Sequence, residues 1–232
     1  MSVVPVNRNT AGHRERLRQR FLRGGIAALN DYEVLELILT GAILRRDVKP
    51  IAKALIARFG SFEAVLDASG DELLEVPGMG PAGVVALLLI RQTCTRYLEQ
   101  HVCSADVLDS YSKVVDYLRM KLGGGKKETL MVLYLNSRNH LVASEVYPGT
   151  VDRASVYRRE VLETALRSRA TGVILAHNHP SGVCEPSAAD LELTREIMKG
   201  LRELQVTLHD HLIVTPSASR SLLHRPVSGE GK

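Results

Sequence analysis

The sequence predicts an all-α module followed by a layered α/β domain, and three observations carry that division. Before residue 100, apolar residues recur at helical spacing between capping residues and glycines, with no alternating strand pattern. After residue 104, β-branched apolar runs alternate with amphipathic helices, the grammar of a layered α/β fold. The chain has 232 residues, 45% hydrophobic and 24% charged, enough for two small domains without disulfide staples. The expected boundaries are 1–104 for the helical domain, 105–224 for the α/β domain and 225–232 for a flexible Ser/Gly/charged tail.

Taken in order, Asn30 and Glu33 form a capping-box signature opening a helix over Asp31–Thr40, with Gly41 as its stop. A second helix fits Val48–Phe59, closed by Gly60, and Ser61 opens a third. Asp71–Val76 makes a turn or two, and Pro81–Glu99 is the last long helix of this half. In the second half, Ser110–Leu122 is helical and ends in a flexible Gly123-Gly124-Gly125. Thr129–Asn136 and Leu141–Tyr147 read as strands joined through Ser137-Arg138-Asn139. Ser155–Ala170 is helical, with Val156, Val161, Leu162, Ala165 and Leu166 as its apolar stripe. Val173–Ala176 is a short buried strand, Leu191–Leu204 a helix and Val206–Val214 a strand.

Composition removes several function classes. Three cysteines, none spaced as CxxC, exclude a disulfide scaffold and point to a reducing compartment. The longest apolar run, Val84–Ile90, is far shorter than the roughly 18 residues a bilayer requires. The first residues are polar and Arg-rich, unlike a secretory leader, so the expected location is cytoplasmic. The net charge of +4 is only mildly basic. Its one local excess is Arg8, Arg14, Arg16, Arg18, Arg20 and Arg23 against Glu15, either a phosphate-contacting arm or a solvated helix face.

The chemistry concentrates in Gly172-Val-Ile-Leu-Ala-His177-Asn178-His179-Pro180-Ser181-Gly182, continuing to Ser187 and Asp190. Side chains two apart on a strand share a face, so His177 and His179 can meet one ion. Asn178 between them points the opposite way and can pin a loop through its amide. Ser187 opens a helix whose first turn carries Asp190. A His, His, Asp set with one open position is the pattern of a catalytic zinc site. Each piece also has a plain structural use. Ser187-x-x-Asp190 is a capping box, and the histidines can be a polar strand end before a Pro-Ser-Gly turn. Cys184, between the histidines and Asp190, is either a loop thiol or a fourth ligand closing an inert site. His209 and His211 are placed on one strand face, His211 as a support to the ligands rather than a ligand.

His177-x-His179-Pro180 followed by Ser187 and Asp190 matches the JAMM motif of MPN/JAB-domain metalloproteases, H-x-H-P-x6-S-x2-D. The wording His-Asn-His-Pro-Ser-Gly resembles the RadC branch of bacterial proteins. That resemblance implies an N-terminal helix-hairpin-helix-like domain before an MPN/JAB domain of the cytidine-deaminase-like α/β type. It implies one Zn2+ per chain on His177, His179 and Asp190, with Ser187 steadying an oxyanion. It also implies a glutamate general acid/base at the head of an early strand, the place Glu128 holds. The residues alone do not select Glu128 over Glu145 or Glu160. The implied activity is that of a zinc-dependent metallopeptidase or isopeptidase on a protein or peptide substrate, in a family linked to DNA repair.

Val76-Pro77-Gly78-Met79-Gly80-Pro81 has the cadence of a helix-hairpin-helix, in which Gly78 and Gly80 let backbone amides approach a phosphate without reading sequence. It can equally be a tight interhelical turn. Its flanks carry Asp71, Glu72 and Glu75 and no basic residue before Arg91, and with no tryptophan there is no stacking platform. Two other readings therefore stand beside the peptidase: a metal-dependent protein that binds or processes DNA through the hairpin, and a non-catalytic scaffold with a structural zinc.

Overall fold

The structure, a computed structural model, describes residues 8–44, 46–104, 107, 111–148 and 154–223. The expected tail 225–232 lies outside the described residues. The chain divides into two compact units, Met1–Thr93 and Cys94–Lys232.

The first unit is helical, as expected. It comprises α1 (Arg8–Gly24), a 3-10 turn (Ile26–Ala28), α2 (Asp31–Ala42), α3 (Lys49–Phe59), α4 (Phe62–Asp67), α5 (Gly70–Leu74) and the start of α6 (Pro81–Ser104). Local chemistry sets these ends. The Asn30–Glu33 capping box opens α2, Ser61 accepts the Ala64 amide at the head of α4, and a Ser69–Glu72 box opens α5. Gly60, at φ +89°, closes α3. Gly41 does not stop α2. The helix continues to Ala42, and the Ile43 amide still reaches the Leu39 carbonyl at 2.8 Å. A glycine weakens a helix, but it ends one only when it turns left-handed, which Gly41 does not. The core is aliphatic, with Leu35, Leu39, Leu55, Val65, Leu73 and Leu87 all but fully buried. The arginine-rich start is α1, and two of its arginines serve as pins while Arg16, Arg18 and Arg23 are exposed. Arg14 donates to the carbonyls of Leu44 and Arg46, and Arg20 grips the Glu33 carboxylate at 2.7 and 3.0 Å.

The second unit contains the end of α6, α7 (Tyr111–Leu118) running into a π turn (Arg119–Gly123), β1 (Thr129–Leu135), β2 (Leu141–Pro148), α8 (Ala154–Arg167), β3 (Gly172–Asn178), α9 (Ala188–Glu203), β4 (Thr207–Val214) and β5 (Ser219–Ser221). The sheet order is β2-β1-β3-β4-β5, with β3 and β4 parallel and the other neighbours antiparallel. Both faces are covered, so the central strands are apolar throughout instead of alternating. Met131, Leu133, Leu135, Ile174, Ala176, Leu212 and Val214 pack with Val114, Tyr117 and Leu118 of α7. Leu130, Val132, Tyr134, Val173 and Leu175 pack on the other face with Val161 and Ala165 of α8 and Leu193, Ile197 and Leu201 of α9. Leu166, expected in the apolar stripe of α8, is 59% exposed. The stripe ends at Ala165.

The Gly123–Gly125 stretch is packed and not a hinge. A side chain at Gly123 would come within 2.9 Å of the Thr215 carbonyl, and one at Gly125 within 3.0 Å of the Asn178 amide nitrogen. Glycine here permits close backbone approach beneath the strand ends.

Candidate metal centre

Strand alternation decides where the histidines go. Along β3, Val173 and Leu175 face α8 and α9 while Ile174 and Ala176 face α7. His177 therefore falls on the α9 side and Asn178 on the other. On β4, Leu175 stands opposite His211 and His177 opposite Ile213, so His211 shares the face of His177. His209 does not share it. A bulge between Val173 and Ile174 in this register adds a residue on β4, and the His209 ring lies against Gly172, where a Cβ would collide with it. The expectation that His209 and His211 share a face fails for that reason.

At the C-terminal end of β3 the expected set comes together. His177 Nε2 lies 2.8 Å from His179 Nε2, 3.3 Å from Asp190 Oδ1, and His179 Nε2 lies 3.4 Å from Asp190 Oδ2. Glu128, just before β1, joins them. One ligand atom from each of Glu128, His177, His179 and Asp190 lies within 4.8 Å of all the others. The Ser187–Asp190 capping box that begins α9 is also present. The Ser187 hydroxyl and amide each lie 2.7 Å from Asp190 Oδ2, and the Asp190 amide donates to Ser187 Oγ at 3.1 Å. Cap and candidate ligand are one arrangement. The helix start that needs an acid at this position also aims its other oxygen at His177.

The hydrogen bonds behind the cluster dictate what faces inward. His179 Nδ1 is 2.7 Å from the Val183 carbonyl, which can only accept, so Nδ1 carries the proton and Nε2 is left for the cluster. His177 Nδ1 is 2.8 Å from His211 Nε2, and His211 Nδ1 is 2.6 Å from the Thr194 hydroxyl. Two imidazole Nε2 atoms and two carboxylates thus converge on one spot. A proton on one imidazole satisfies part of this set, and a divalent cation satisfies all of it. The donor set fits a metal such as zinc on those grounds.

Electrostatics run the same way. Burial alone would raise the Asp190 carboxyl. Hydrogen bonds from His177 and Ser187 and the charge of His177 outweigh it and hold the group well below the usual carboxylate range. Burial, reinforced by His177 and His179 and opposed by Asp190, pushes His211 down to about 3 and keeps it neutral.

Asn178 acts as the sequence suggested. Fully buried, it accepts the Thr129 amide at 2.8 Å and donates to the carbonyls of Gly125 and Lys127 at 2.9 and 3.1 Å. These bonds bracket Glu128 and fix the segment that carries it. Cys184 stands outside the gathered group. Its Sγ faces Thr215 Oγ1 at 3.7 Å and the Ile213 carbonyl at 4.0 Å. Thr194 was not anticipated. Its only sequence signal is a threonine four residues after Asp190 on the inward face of α9, which reads as ordinary core.

The glycine hairpin of the first unit lies elsewhere in the chain. Gly78 takes φ +86° and Met79 is buried, while a side chain at Gly80 would meet nothing within 4 Å. Arg46 brings a guanidinium 3.4 Å from the Gly78 carbonyl, a positive charge the hairpin's own flanks lack.

The family model described as RadC-like JAB domain matches residues 108–227, more than half of the chain and all of the cluster. The chain belongs to the RadC family. In this RadC protein the UPF0758 N-terminal model also matches, over residues 9–85 of the helical unit. A helical N-terminal region before a JAB domain is the α plus α/β architecture expected from sequence. The RadC-like JAB domain points to a JAMM-like metal-dependent hydrolase, and the His/Asp/Glu cluster is a group that can hold a metal. No described helix is long and apolar enough to cross a membrane.

Proposed function

We propose that this RadC protein is a cytoplasmic zinc-dependent hydrolase of amide bonds, a peptidase or isopeptidase, with one ion per chain on His177, His179 and Asp190. The observation that supports it most is the convergence of those ligands with Glu128 inside 4.8 Å, from three separate chain segments. A bound zinc would supply Lewis acidity and a water with a pKa near ~7. The remaining work falls to side chains. Glu128 takes the proton of the attacking water and returns it to the leaving nitrogen. Ser187, whose hydroxyl holds Asp190 at 2.7 Å, rotates that hydroxyl toward the developing oxyanion. The partner is a protein or peptide segment offering an extended amide to the cluster.

Elemental mass spectrometry of the purified protein tests the metal. About one zinc per chain is expected, lost in His179→Ala and kept in Cys184→Ser, as an open catalytic site requires. Zinc that leaves with Cys184 would instead favour a structural site. Glu128→Gln should keep zinc and lose turnover of any peptide the wild type cleaves. Full turnover in that variant removes the proton-transfer role.

A second reading, non-specific DNA contact through Gly78 and Gly80, is favoured by the Arg46 guanidinium beside the hairpin and the open space at Gly80. It predicts duplex binding that weakens steeply with salt and is reduced in Arg46→Ala.

A further inference from the structure

We propose that His211 and Thr194 are positioning residues of the metal centre, a directional hydrogen-bond relay that fixes the tautomer of His177 and presents its Nε2 to the ion. The inference rests on the metal reading above and adds to it two residues that bind nothing themselves.

The direction of the relay follows from which atoms can donate. The Thr194 hydroxyl lies 2.6 Å from the backbone carbonyl of Asp190, which can only accept, so the hydroxyl hydrogen points there. Thr194 Oγ1 is also 2.6 Å from His211 Nδ1. With its single hydrogen engaged, the hydroxyl must accept, and His211 carries its proton on Nδ1. His211 is fully buried and its two ring nitrogens meet a hydroxyl and an imidazole, so with the single proton on Nδ1 its Nε2 is the acceptor, and it lies 2.8 Å from His177 Nδ1. His177 therefore donates from Nδ1, leaving Nε2 for the cluster. The relay runs from His177 through His211 and Thr194 to the backbone of Asp190, and so closes a ring between two of the ligands. His177 on β3, His211 on β4 and Thr194 on α9 are each no more than 4% exposed, so water cannot substitute for a missing member.

The placement is more than filling. A fully buried imidazole without matched partners would ordinarily be replaced by leucine at a gain. Here both of its nitrogens are matched, one to a ligand and the other to a hydroxyl anchored on the second ligand's backbone. Such supports commonly change metal affinity by about 10–100-fold.

Zinc affinity measured by chelator competition on the full chain tests this, with His211→Leu, Thr194→Val and Thr194→Ser beside the wild type. His211→Leu should bind zinc about 10–100-fold more weakly, Thr194→Val less severely, and Thr194→Ser should recover nearly wild-type affinity because it keeps the hydroxyl. Nitrogen-15 NMR of the histidines in metal-free protein gives the second readout. Slowly exchanging Nδ1 protons are expected on His177 and His211, and that of His177 should vanish in His211→Leu.

The outcomes separate. A wild type that binds no zinc removes the metal reading, and the NMR spectra then decide the relay alone. A wild type that binds zinc while His211→Leu and Thr194→Val bind it equally well overturns the relay and leaves the metal centre standing. Should His211→Leu fail to fold, the Thr194 pair decides, since valine and threonine have nearly the same shape.

Discussion

Both units of the chain bury polar side chains, and the way they satisfy them differs. In the helical unit Glu33 is 6% exposed, and its carboxylate meets the Arg20 guanidinium and the Asn30 amide, donors matched to an acceptor. Glu36, also buried, lies 2.9 Å from His13 Nε2. At the end of β3 the pattern inverts. Supporting bonds reach the set from Val183, His211 and Ser187, and two imidazole nitrogens and two carboxylates still point at one spot. Burial of polar groups alone does not mark a site. Convergence of several potential metal-ligating atoms on one spot does, because a divalent cation can satisfy all of them at once.

The sharpest way to break that comparison is to remove one member from each unit. Asp190→Ala takes away a ligand and the acid of the capping box, and zinc in the purified protein should fall below about a tenth of an equivalent. Leu39→Ala, in the helical core, should cost about 2–5 kcal/mol of stability in urea unfolding. The folded Leu39→Ala protein should bind as much zinc as the wild type, because none of the candidate metal ligands lies in its unit. Zinc loss in Leu39→Ala would mean that the centre depends on the helical unit.

Next in size is Asn178. It has every amide atom engaged at 2.8–3.1 Å on the segment around Glu128. Asn178→Ala strands one donor and two carbonyls and should cost about 2–3 kcal/mol in a urea titration. Because Glu128 loses its brace while His177, His179 and Asp190 do not, hydrolysis should fall further than zinc content. Equal losses would show that Asn178 supports the strand end as a whole.

How much of this was legible in the sequence follows from the range of each interaction. Capping boxes at Asn30 and Ser187 are written within four residues, and both appear where expected. The strands were readable because sheet burial on both faces demands continuous apolar runs, as in Val173–Ala176. The four cluster residues were readable through a spaced motif plus the resemblance, which alone selected Glu128. What was not legible depended on register. A one-residue bulge sends His209 and His211 to opposite faces, and no local signal announces a bulge. Thr194 and Arg46 are ordinary in sequence and acquire roles only when another segment arrives beside them. Gly123–Gly125 looked flexible because glycine's freedom is a local property, whereas the crowding that requires it here is not.

The hairpin glycines separate shape from contact. Gly78→Ala puts a Cβ at left-handed φ +86° and 3.2 Å from Arg46 Nη2 and Ile51 Cγ1. It should lower stability by about 1–2 kcal/mol. Gly80→Ala meets nothing within 4 Å and is not left-handed, so its stability should stay within about 0.5 kcal/mol of wild type. Duplex binding lost in Gly80→Ala at unchanged stability would support backbone contact with phosphate. Binding unchanged in Gly80→Ala but lost in Gly78→Ala would reduce the hairpin to a turn.

The smallest effect concerns acid. The hydrogen bond from Arg20, opposed by burial and helped by the Asn30 amide and the charges of Arg20 and His13, lowers Glu33 below its ordinary 4.5. A carboxyl with a lowered folded pKa stabilises the fold above its unfolded value, and that contribution disappears as pH falls through the folded one. The wild type should therefore lose stability relative to Glu33→Gln as pH drops from about 5 to below the lowered value, by less than about 1 kcal/mol because solvent screens the pair. Other carboxylates titrate in the same window, so the informative quantity is the difference between the two urea midpoints at each pH. A difference that stays constant from pH 7 to pH 3 would show that the carboxylate's charge adds nothing there and that Glu33 serves only as a neutral cap.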